Sequence, residues 1–405
     1  MSKAFDSIKN DEETYLLKTY ARYPLAIDHG KGSRLWDCDG KEYIDLLAGI
    51  AVCGLGHCND EVIGALTEQA HKLWHVSNLF YQEPQIQLAK LLVSTAHFAK
   101  AFFCNSGAEA NEAAIKLARR YTRKIAGRDA PDIITLTSCF HGRTLGTLAA
   151  TGRADLMDGF TPVAGGFKQV PANDLSALEA AIDDKTCAVM MECIQGEAGV
   201  MPLGADYVKA ARKLCDEHKA LLIIDEVQTG IGRTGAWFAF QREDLSGGVT
   251  PDIVTFAKGV GGGFPMGGMI SFGAELSALF TPGSHGSTFA GNPLGASAAL
   301  ATLGVIEEDN LVDNAEERGK QLRDGIASCG NPLFVSVRGR GLLDAIELAH
   351  PCSHAAMNWA LEHGLIVNAV APNALRLAPP LVITAQDVDQ AVSILAKIPS
   401  DLPND

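Results

Sequence analysis

The sequence predicts an α/β fold with a mainly parallel sheet. Short apolar runs such as TCAVMMECI, ALLIID and DIVTFA alternate with amphipathic stretches such as GAEANEAAIKLARRYTRK and ADYVKAARKLCDEHK. Strands that are apolar throughout are typical of a parallel sheet with helices on both faces, because both sides of each strand are buried. The chain has 405 residues, more than the roughly 250–300 at which a single core stops growing, so we expect two domains.

The two ends of the chain differ in pattern from its middle. RLWDCDGKEYIDLLAG predicts a β-hairpin, because Asp39-Gly40 suits the positive φ of a tight turn. Helices continue through residues 292–326, and after Pro332 the pattern becomes strand, strand, helix, strand and helix. We therefore predict a large domain over residues 50–305, and a smaller α+β domain formed by residues 1–49 and 306–405.

The composition argues against several classes of function. The net charge is −14, from 34 Lys and Arg against 48 Asp and Glu. Without a basic cluster, neither nucleic acid nor an anionic membrane is an expected partner. The N-terminal MSKAFDSIKNDEETY lacks the apolar core of a signal peptide, and no apolar run approaches the ~20 residues of a membrane span. We expect a cytoplasmic protein.

The cysteines and histidines do not predict a metal site. The ten cysteines include no C-x-x-C pair, and several lie in apolar runs such as KAFFCNS. Such residues are typically reduced thiols that pack as small hydrophobic side chains. Because H-E-x-x-H and similar ligand spacings are absent from the sequence, we expect no protein-bound metal.

Candidate site residues follow the apolar runs, because ligands of open parallel sheets bind beyond the carboxyl ends of the strands. NSGAEANE, residues 105–112, follows KAFFC and opens a helix. The free N–H groups of such a helix start suit a phosphate. The same residues suit an ordinary helix start, with Asn105 or Ser106 as the cap and Glu109 completing a capping box. The pattern alone leaves both interpretations open.

Charged or aromatic residues also stand at the ends of three other apolar runs. Asp225 ends ALLIID, and a carboxylate there needs a cation or an N–H group as partner. Lys258 stands between DIVTFA and a glycine-rich stretch predicted as a loop; its amine either extends to water or loses its proton and forms a Schiff base. Phe140 and Arg143 in SCFHGRTLGT suit a planar ring and a carboxylate. Together with a phosphate site, these groups are what pyridoxal phosphate requires.

A second motif suggests a different cofactor. GIGRTG, residues 230–235, follows ALLIID and matches the G-x-G-x-x-G of nicotinamide-dinucleotide sites. In that fingerprint the first glycine lies at the turn from strand to helix, whereas EVQT intervenes here. The following AWFAFQREDLSGG does not predict the required helix. An NAD-dependent oxidoreductase is therefore the weaker interpretation.

A set of motifs extends the pyridoxal phosphate interpretation. NSGAEANE, FHGRT, ECIQGEAGV, LLIIDEVQTGIGRTG, PDIVTFAKGVGGGFPMG, GSHGSTFAGNPL and LRLAPPLVIT occur in this order. Their order and spacing resemble those of the class III, ornithine-type aminotransferases of the fold type I pyridoxal phosphate enzymes. The resemblance extends from about Tyr20 to the end of the chain. It implies a homodimer with shared active sites.

The resemblance also implies roles around the cofactor. Lys258 would hold the cofactor aldehyde and then move a proton, and Asp225 would pair with the pyridine nitrogen. Gln228 would contact the ring hydroxyl, and Phe140 would stack on the ring. The remaining cofactor contacts would be Gly107 and Ala108 with the phosphate, and Thr288 with the phosphate of the partner subunit.

The resemblance implies further roles in substrate binding. Arg143 would bind the distal carboxylate of either substrate, and Arg376 the α-carboxylate of glutamate. Glu197 would pair with Arg376 when the other substrate is bound, since that substrate has no carboxylate near its reacting amine and an unpaired buried cation is costly. Ser287 would contact substrate. Ile50 stands where ornithine aminotransferases resemble one another in having a tyrosine, which favours an acylated ornithine.

The implied reaction moves the δ-amino group of N2-acetylornithine to 2-oxoglutarate in two half-reactions, as in arginine biosynthesis. Succinylornithine, 4-aminobutyrate and succinyldiaminopimelate remain alternative amino donors for the same machinery. One departure from the family pattern is Asn59-Asp60, where His-Pro is usual. We expect these two residues to affect only the capping of the helix that they open.

Overall fold

The computed structural model describes residues 3–97 and 99–405. The helices and strands before residue 98 are α1 Lys3–Tyr15, β1 Ile27–Lys31, β2 Arg34–Asp37, β3 Glu42–Asp45, α2 Ala48–Ala51, α3 Asp60–Lys72 and α4 Glu83–Ala96. Strands β2 and β3 form the predicted antiparallel hairpin, with Gly40 at φ 80° in its turn. Asn59 caps α3 by accepting the N–H groups of Glu61 and Val62.

A seven-stranded sheet forms the middle of the chain. The elements of this region are β4 Lys100–Cys104, α5 Gly107–Lys124, β5 Asp132–Leu136, α6 Leu145–Ala150, β6 Phe167–Val170, α7 Leu175–Ala181, β7 Thr186–Met191, β8 Ile194–Gln195, β9 Met201–Pro202, α8 Ala205–Glu217, β10 Leu221–Asp225, α9 Glu243–Ser246, β11 Ile253–Phe256, β12 Gly267–Ser271 and α10 Ala274–Ser277. The strand order is β4-β12-β11-β10-β7-β5-β6. Apart from β12, which is antiparallel to both neighbours, the strands run in one direction. The predicted α/β class is confirmed.

Alternate residues of the central strand β10 pack against helices on opposite faces of the sheet. Leu221 and Ile223 share a core cluster with Ala113, Ala114 and Leu117 of α5. Leu222 and Ile224 belong to the cluster that contains Val208, Ala211 and Cys215 of α8. This two-sided burial follows from the period of two along a strand, and it explains why ALLIID is apolar throughout.

The C-terminal region contains long helices and a small antiparallel sheet. Its elements are α11 Pro293–Glu308, α12 Leu311–Ser328, β13 Phe334–Arg340, β14 Leu343–Leu348, α13 Ser353–Glu362, β15 Leu365–Ile366, β16 Asn368–Ala371, β17 Ala374–Leu377 and α14 Ala385–Leu395. The sheet order is β13-β14-β17-β16, and β15 joins β1, β2 and β3 in another sheet. The N-terminal hairpin therefore pairs with the C-terminal region. The domain boundaries at 49/50 and 305/306 stay a prediction.

One strand lies where the sequence predicts only a loop. The glycine-rich stretch after Lys258 begins with a 3₁₀ turn, Lys258–Gly261, and then forms β12. A Cβ on Gly268 would lie 2.3 Å from the carbonyl oxygen of Phe102 and 2.7 Å from the ring of Phe256. Glycine is needed there for close packing between strands rather than for flexibility.

Candidate active site

A cavity of about 440 Å³ lies at the carboxyl ends of the parallel strands. This volume falls within the roughly 300–1,000 Å³ of small-molecule sites. Eight of the predicted site residues line it, namely Gly107, Ala108, Phe140, Arg143, Glu197, Asp225, Gln228 and Lys258. The chain thus brings together groups that stand as far apart in sequence as Gly107 and Lys258.

The start of α5 forms one wall of the cavity. Ser106 caps the helix by accepting the N–H group of Glu109 at 3.2 Å, and the Glu109 carboxylate accepts the N–H group of Asn105 at 2.7 Å. The predicted Ser106 cap is therefore present, but Glu109 bonds to the residue before the cap, so the predicted capping box is not formed. This cap leaves the phosphate interpretation open, because the first N–H groups of a helix have no intrahelical acceptor. A Cβ on Gly107 would lie 2.7 Å from Val227, so only glycine fits against that side chain.

Asp225 lies at the floor of the cavity with three hydrogen-bond donors. Its Oδ2 accepts from Asn111 Nδ2 at 2.8 Å and lies 2.7 Å from His141 Nδ1, and its Oδ1 accepts from Val227 N at 2.9 Å. Burial opposes protonation of His141, but the nearby Cys139 thiol and the hydrogen bond with Asp225 hold its pKa well above the ordinary value. The site therefore keeps a carboxylate beside a cationic imidazole at the end of β10.

Lys258 lines the same cavity as the acidic side chains of Glu192, Glu197 and Asp225. It follows β11 with a left-handed backbone, at φ 46°. Burial lowers the pKa of its amine, although Glu197 and Asp225 partly oppose that shift. Within residues 3–97 and 99–405, its Nζ has no hydrogen-bond or ion-pair partner. A buried amine that is readily deprotonated and unpartnered is suited to covalent bonding with an aldehyde.

Arg376 on β17 lies behind the cavity and reaches its wall. The side chain is 1% exposed, and its Nη1 donates to the Glu197 carboxylate and, at 3.2 Å, to Gln228 Oε1. Burial raises the pKa of Glu197, but Arg376, Lys258 and Gln228 together outweigh burial and hold this pKa below its ordinary value, so Glu197 is ionised. Since the Glu197 side chain keeps 26% of its surface exposed, this pair borders open volume on one side.

A guanidinium lies over an aromatic ring on another wall of the cavity. The Cζ atom of Arg143 is 5.6 Å from the centroid of the Phe140 ring. This is within the distance of a cation–π contact. Phe140 therefore offers a ring face for stacking, and Arg143 places a second cation at the rim.

The family model described as aminotransferase class III matches residues 15–398. The chain belongs to the class III aminotransferases. It is 62% identical to the acetylornithine aminotransferase of Bifidobacterium longum, over 94% of this chain and 93% of that one. The acetylornithine aminotransferase of Caldanaerobacter subterraneus subsp. tengcongensis is 45% identical, over 96% and 98%.

Solved structures of other class III aminotransferases agree with this fold. The ornithine aminotransferase of Toxoplasma gondii superimposes with a TM-score of 0.92, at 33% identity and over 98% of this chain and 95% of that one. N-acetylornithine aminotransferase from Stenotrophomonas maltophilia gives 0.81, at 39% identity and over 96% and 97%. Another structure of the Toxoplasma enzyme has pyridoxal phosphate at partial occupancy in its active site.

Three residues of this class III aminotransferase that the sequence did not single out hold the site together. Asn111 and His141 hydrogen-bond to Asp225. Glu192 accepts the N–H groups of Phe140 at 3.1 Å and Gly196 at 3.2 Å, and burial raises its pKa to about 7. All three residues stand in quoted motifs, Asn111 in NSGAEANE, His141 in FHGRT and Glu192 in ECIQGEAGV, but their bonding partners come from the fold.

Besides Arg376, three predicted site residues do not line the cavity. Ile50 is 41% exposed, with a left-handed backbone at φ 65°. Ser287 hydrogen-bonds to Glu109 Oε1 and to Asn105 Nδ2, each at 2.9 Å. Thr288, the next residue, is exposed. These residues border the site of this chain rather than line it.

The remaining sequence features are also located. Residues 230–235 form turns, and the next regular element is a 3₁₀ turn, Ala239–Gln241, so the helix of a dinucleotide fingerprint is missing from this part of the described chain. No group of three or more His, Cys, Asp or Glu is placed to hold a metal ion among the described residues. None of the described helices is long and apolar enough to cross a membrane.

Proposed function

We propose that this class III aminotransferase moves the δ-amino group of N2-acetylornithine to 2-oxoglutarate. The products are N-acetylglutamate 5-semialdehyde and glutamate, and the reaction belongs to arginine biosynthesis. The observation that carries the proposal is the Arg376–Glu197 pair at the cavity that contains Lys258. The acetylornithine aminotransferases among its relatives support the choice of substrate.

The cavity residues fit pyridoxal phosphate as the cofactor. Gly107 and Ala108 would present helix N–H groups to its phosphate, and Phe140 would stack on its ring. Asp225 would pair with the pyridine nitrogen, and Gln228 would contact the ring hydroxyl. When bound, the cofactor supplies an electron sink for the negative charge that develops at the substrate carbon.

Lys258 has two tasks in this proposal. Its Nζ would hold the cofactor aldehyde covalently, with loss of water, until a substrate amine takes its place. The freed amine next moves a proton at the substrate carbon. Both tasks require a neutral amine, and the lowered pKa of Lys258 supports that state.

Two arginines and Glu197 let one cavity accept two substrates. Arg143 binds the carboxylate that is distant from the reacting amine. Arg376 binds the α-carboxylate of glutamate, which then takes the place of Glu197. With acetylornithine, which has no carboxylate at that end, the Arg376–Glu197 pair stays closed and no buried cation is left unpaired. Ile50 offers no acceptor for the free α-ammonium of ornithine.

The working unit in this proposal is a cytoplasmic homodimer with shared active sites. Thr288 of one subunit completes the phosphate site of the other, and Ser287 contacts substrate beside it. The exposure of Thr288 supports this role, since the residue is available to a second copy of the chain.

Two experiments test the proposal. The purified protein should show a visible absorbance that borohydride removes, with the label then found on Lys258 and no such label in Lys258→Ala. The value of kcat/KM should be highest for acetylornithine among acetylornithine, succinylornithine, ornithine and 4-aminobutyrate. A colourless protein that retains a nicotinamide cofactor would refute the assignment, and preference for another donor would replace the substrate.

A further inference from the structure

A second groove lies along the C-terminal half of α5, away from the active-site cavity. It has a volume of about 510 Å³ and is lined by five basic side chains, Lys116, Arg119, Arg120, Arg123 and Lys124. These positions follow the i, i+3, i+4, i+7, i+8 spacing of one helix face, and they extend over roughly 12 Å at 1.5 Å per residue. The groove corrects the expectation that this acidic chain has no basic cluster.

Most of these positive charges form no ion pair within residues 3–97 and 99–405. Of the five, only Arg123 pairs with a carboxylate of these residues, that of Asp129 at 2.7 Å. Lys116 Nζ bonds to His285 Nδ1 at 2.8 Å, and burial together with Lys116 lowers the pKa of that imidazole, which is therefore a neutral partner. Arg119 donates to the carbonyl oxygens of Pro131 and Gly165. These contacts hold the side chains in place without neutralising them.

Arg120 also lines the groove and has no carboxylate partner in the described part of the chain. Its Nη2 donates to Thr281 Oγ1 at 3.3 Å. This long contact to a neutral hydroxyl leaves the guanidinium charge uncompensated, so an anion in the groove would be a stronger partner.

We propose that this groove binds a small linear polyphosphate, either free or as part of a nucleotide. Guanidinium groups bind phosphate oxygens through paired N–H donors. A row of cations over roughly 12 Å matches a chain of phosphates better than a single phosphate or carboxylate. The groove shares no lining residue with the active-site cavity, so the inference does not depend on the proposed reaction.

The test is calorimetric titration of the purified, full-length protein with tripolyphosphate at low and at moderate salt. We expect binding that weakens as salt is added, since the contacts are between charges. The double variant Arg120→Gln, Lys124→Gln should bind about tenfold more weakly. The matched control Lys72→Gln, Lys213→Gln removes the same charge from exposed positions on α3 and α8, and should bind as the wild type does.

Absence of tripolyphosphate binding at low salt would overturn the proposal, as would equal affinity of the double variant and the control. If the double variant does not fold, Lys124→Gln alone provides the test, because its side chain is exposed; an unchanged affinity would again overturn it. A titration with ATP separates the two sources. If ATP binds more tightly than tripolyphosphate, and Phe280→Ala removes this difference, the ligand is a nucleotide. If ATP and tripolyphosphate bind with equal affinity, the ligand is a free polyphosphate.

Discussion

Two buried arginine–carboxylate clusters in this molecule differ in whether the carboxylate borders open volume. In the active site, Arg376 pairs with Glu197, whose side chain is 26% exposed to the cavity. Elsewhere, Asp344 is fully buried and accepts from Arg323 Nη1 at 2.8 Å, and burial raises its pKa to about 7. The first pair can exchange one partner for a ligand because it borders open volume. The second has no such freedom.

Arg233 completes the structural cluster through backbone groups. It is 3% exposed and donates from Nη1 to the carbonyl oxygens of Leu342 and Pro379. Burial lowers its pKa to about 10, although Asp344 partly opposes this shift. Its acceptors are fixed by the chain itself. The comparison teaches that burial of an arginine does not by itself mark a binding site; an exchangeable carboxylate beside a cavity does.

Removing the two arginines should therefore affect stability differently. Arg233→Met leaves two buried carbonyl oxygens without their donor and removes one of the two cations near Asp344, and we expect the free energy of unfolding to fall by about 3–5 kcal/mol. Arg376→Met should lose only about 1 kcal/mol, because Glu197 can turn to water in the cavity. Urea denaturation measures both values. Equal losses would contradict the distinction.

Asp344 should give the structural cluster a pH dependence. Its folded-state pKa, about 7, lies above the ordinary value of 3.8 for an aspartate. The folded protein therefore holds a proton that the unfolded chain releases, and this stabilisation is lost as the pH rises from about 4 to 7. Asp344→Asn should reduce the fall in unfolding free energy across this window by about 3 kcal/mol. The exposed carboxylate variant Glu217→Gln serves as the control, and a matching slope in both variants would disprove the assignment.

Arg376→Gln should separate the two half-reactions. Loss of a charge-assisted contact to the α-carboxylate should slow the glutamate half-reaction about 100-fold. The acetylornithine half-reaction does not use that contact and should change by less than about fivefold. Single-turnover absorbance with each substrate measures the difference. Equal slowing of both would show that Arg376 does not discriminate between them.

Glu197→Gln should have the reverse and smaller effect. The amide leaves Arg376 without a counter-charge when acetylornithine is bound, so that half-reaction should slow about tenfold. The glutamate half-reaction should stay within about twofold of the wild type, since glutamate displaces Glu197 in any case. The same single-turnover measurements apply. A slower glutamate half-reaction would mean that Glu197 has another task.

Ile50→Tyr should produce the smallest change. A tyrosine hydroxyl can accept a hydrogen bond from the free α-ammonium of ornithine. We expect the kcat/KM ratio of ornithine to acetylornithine to rise about fivefold. Ile50→Phe adds the ring without the hydroxyl and is the matched control. An equal rise in both variants would assign the effect to size rather than to hydrogen bonding.

The parts of the fold that depend on local pattern could be predicted from the sequence. Strands β7, β10 and β11 are apolar because both faces are buried. Looking at the residues at the ends of β10 and β11 identified Asp225 and Lys258 as candidate site residues. Strand β12 was missed because glycines usually mark loops, whereas Gly268 packs against Phe102 and Phe256. That contact joins segments far apart in sequence, and no local pattern reports it.

The candidate site shows the same limit. Residues with chemical groups at strand ends were found, but the residues that hold them were not. Asn111 lies on α5 and bonds to Asp225, and Glu192 binds the backbone of Phe140 and Gly196. Both residues stand in motifs that the sequence shows, but the atoms that they bond to are set by the fold, and no local pattern reports them.

The antiparallel strand β12 also bears on the order in which the chain assembles. It separates β4 from β11, and Phe102 of β4 pairs with Met269 of β12. During synthesis β4 therefore leaves the ribosome on the order of ten seconds before its partner strand. Through that interval its apolar KAFFC edge has no permanent neighbour and is exposed to pairing with other nascent chains. Early chaperone contact with β4, ending once β12 has emerged, would protect this edge.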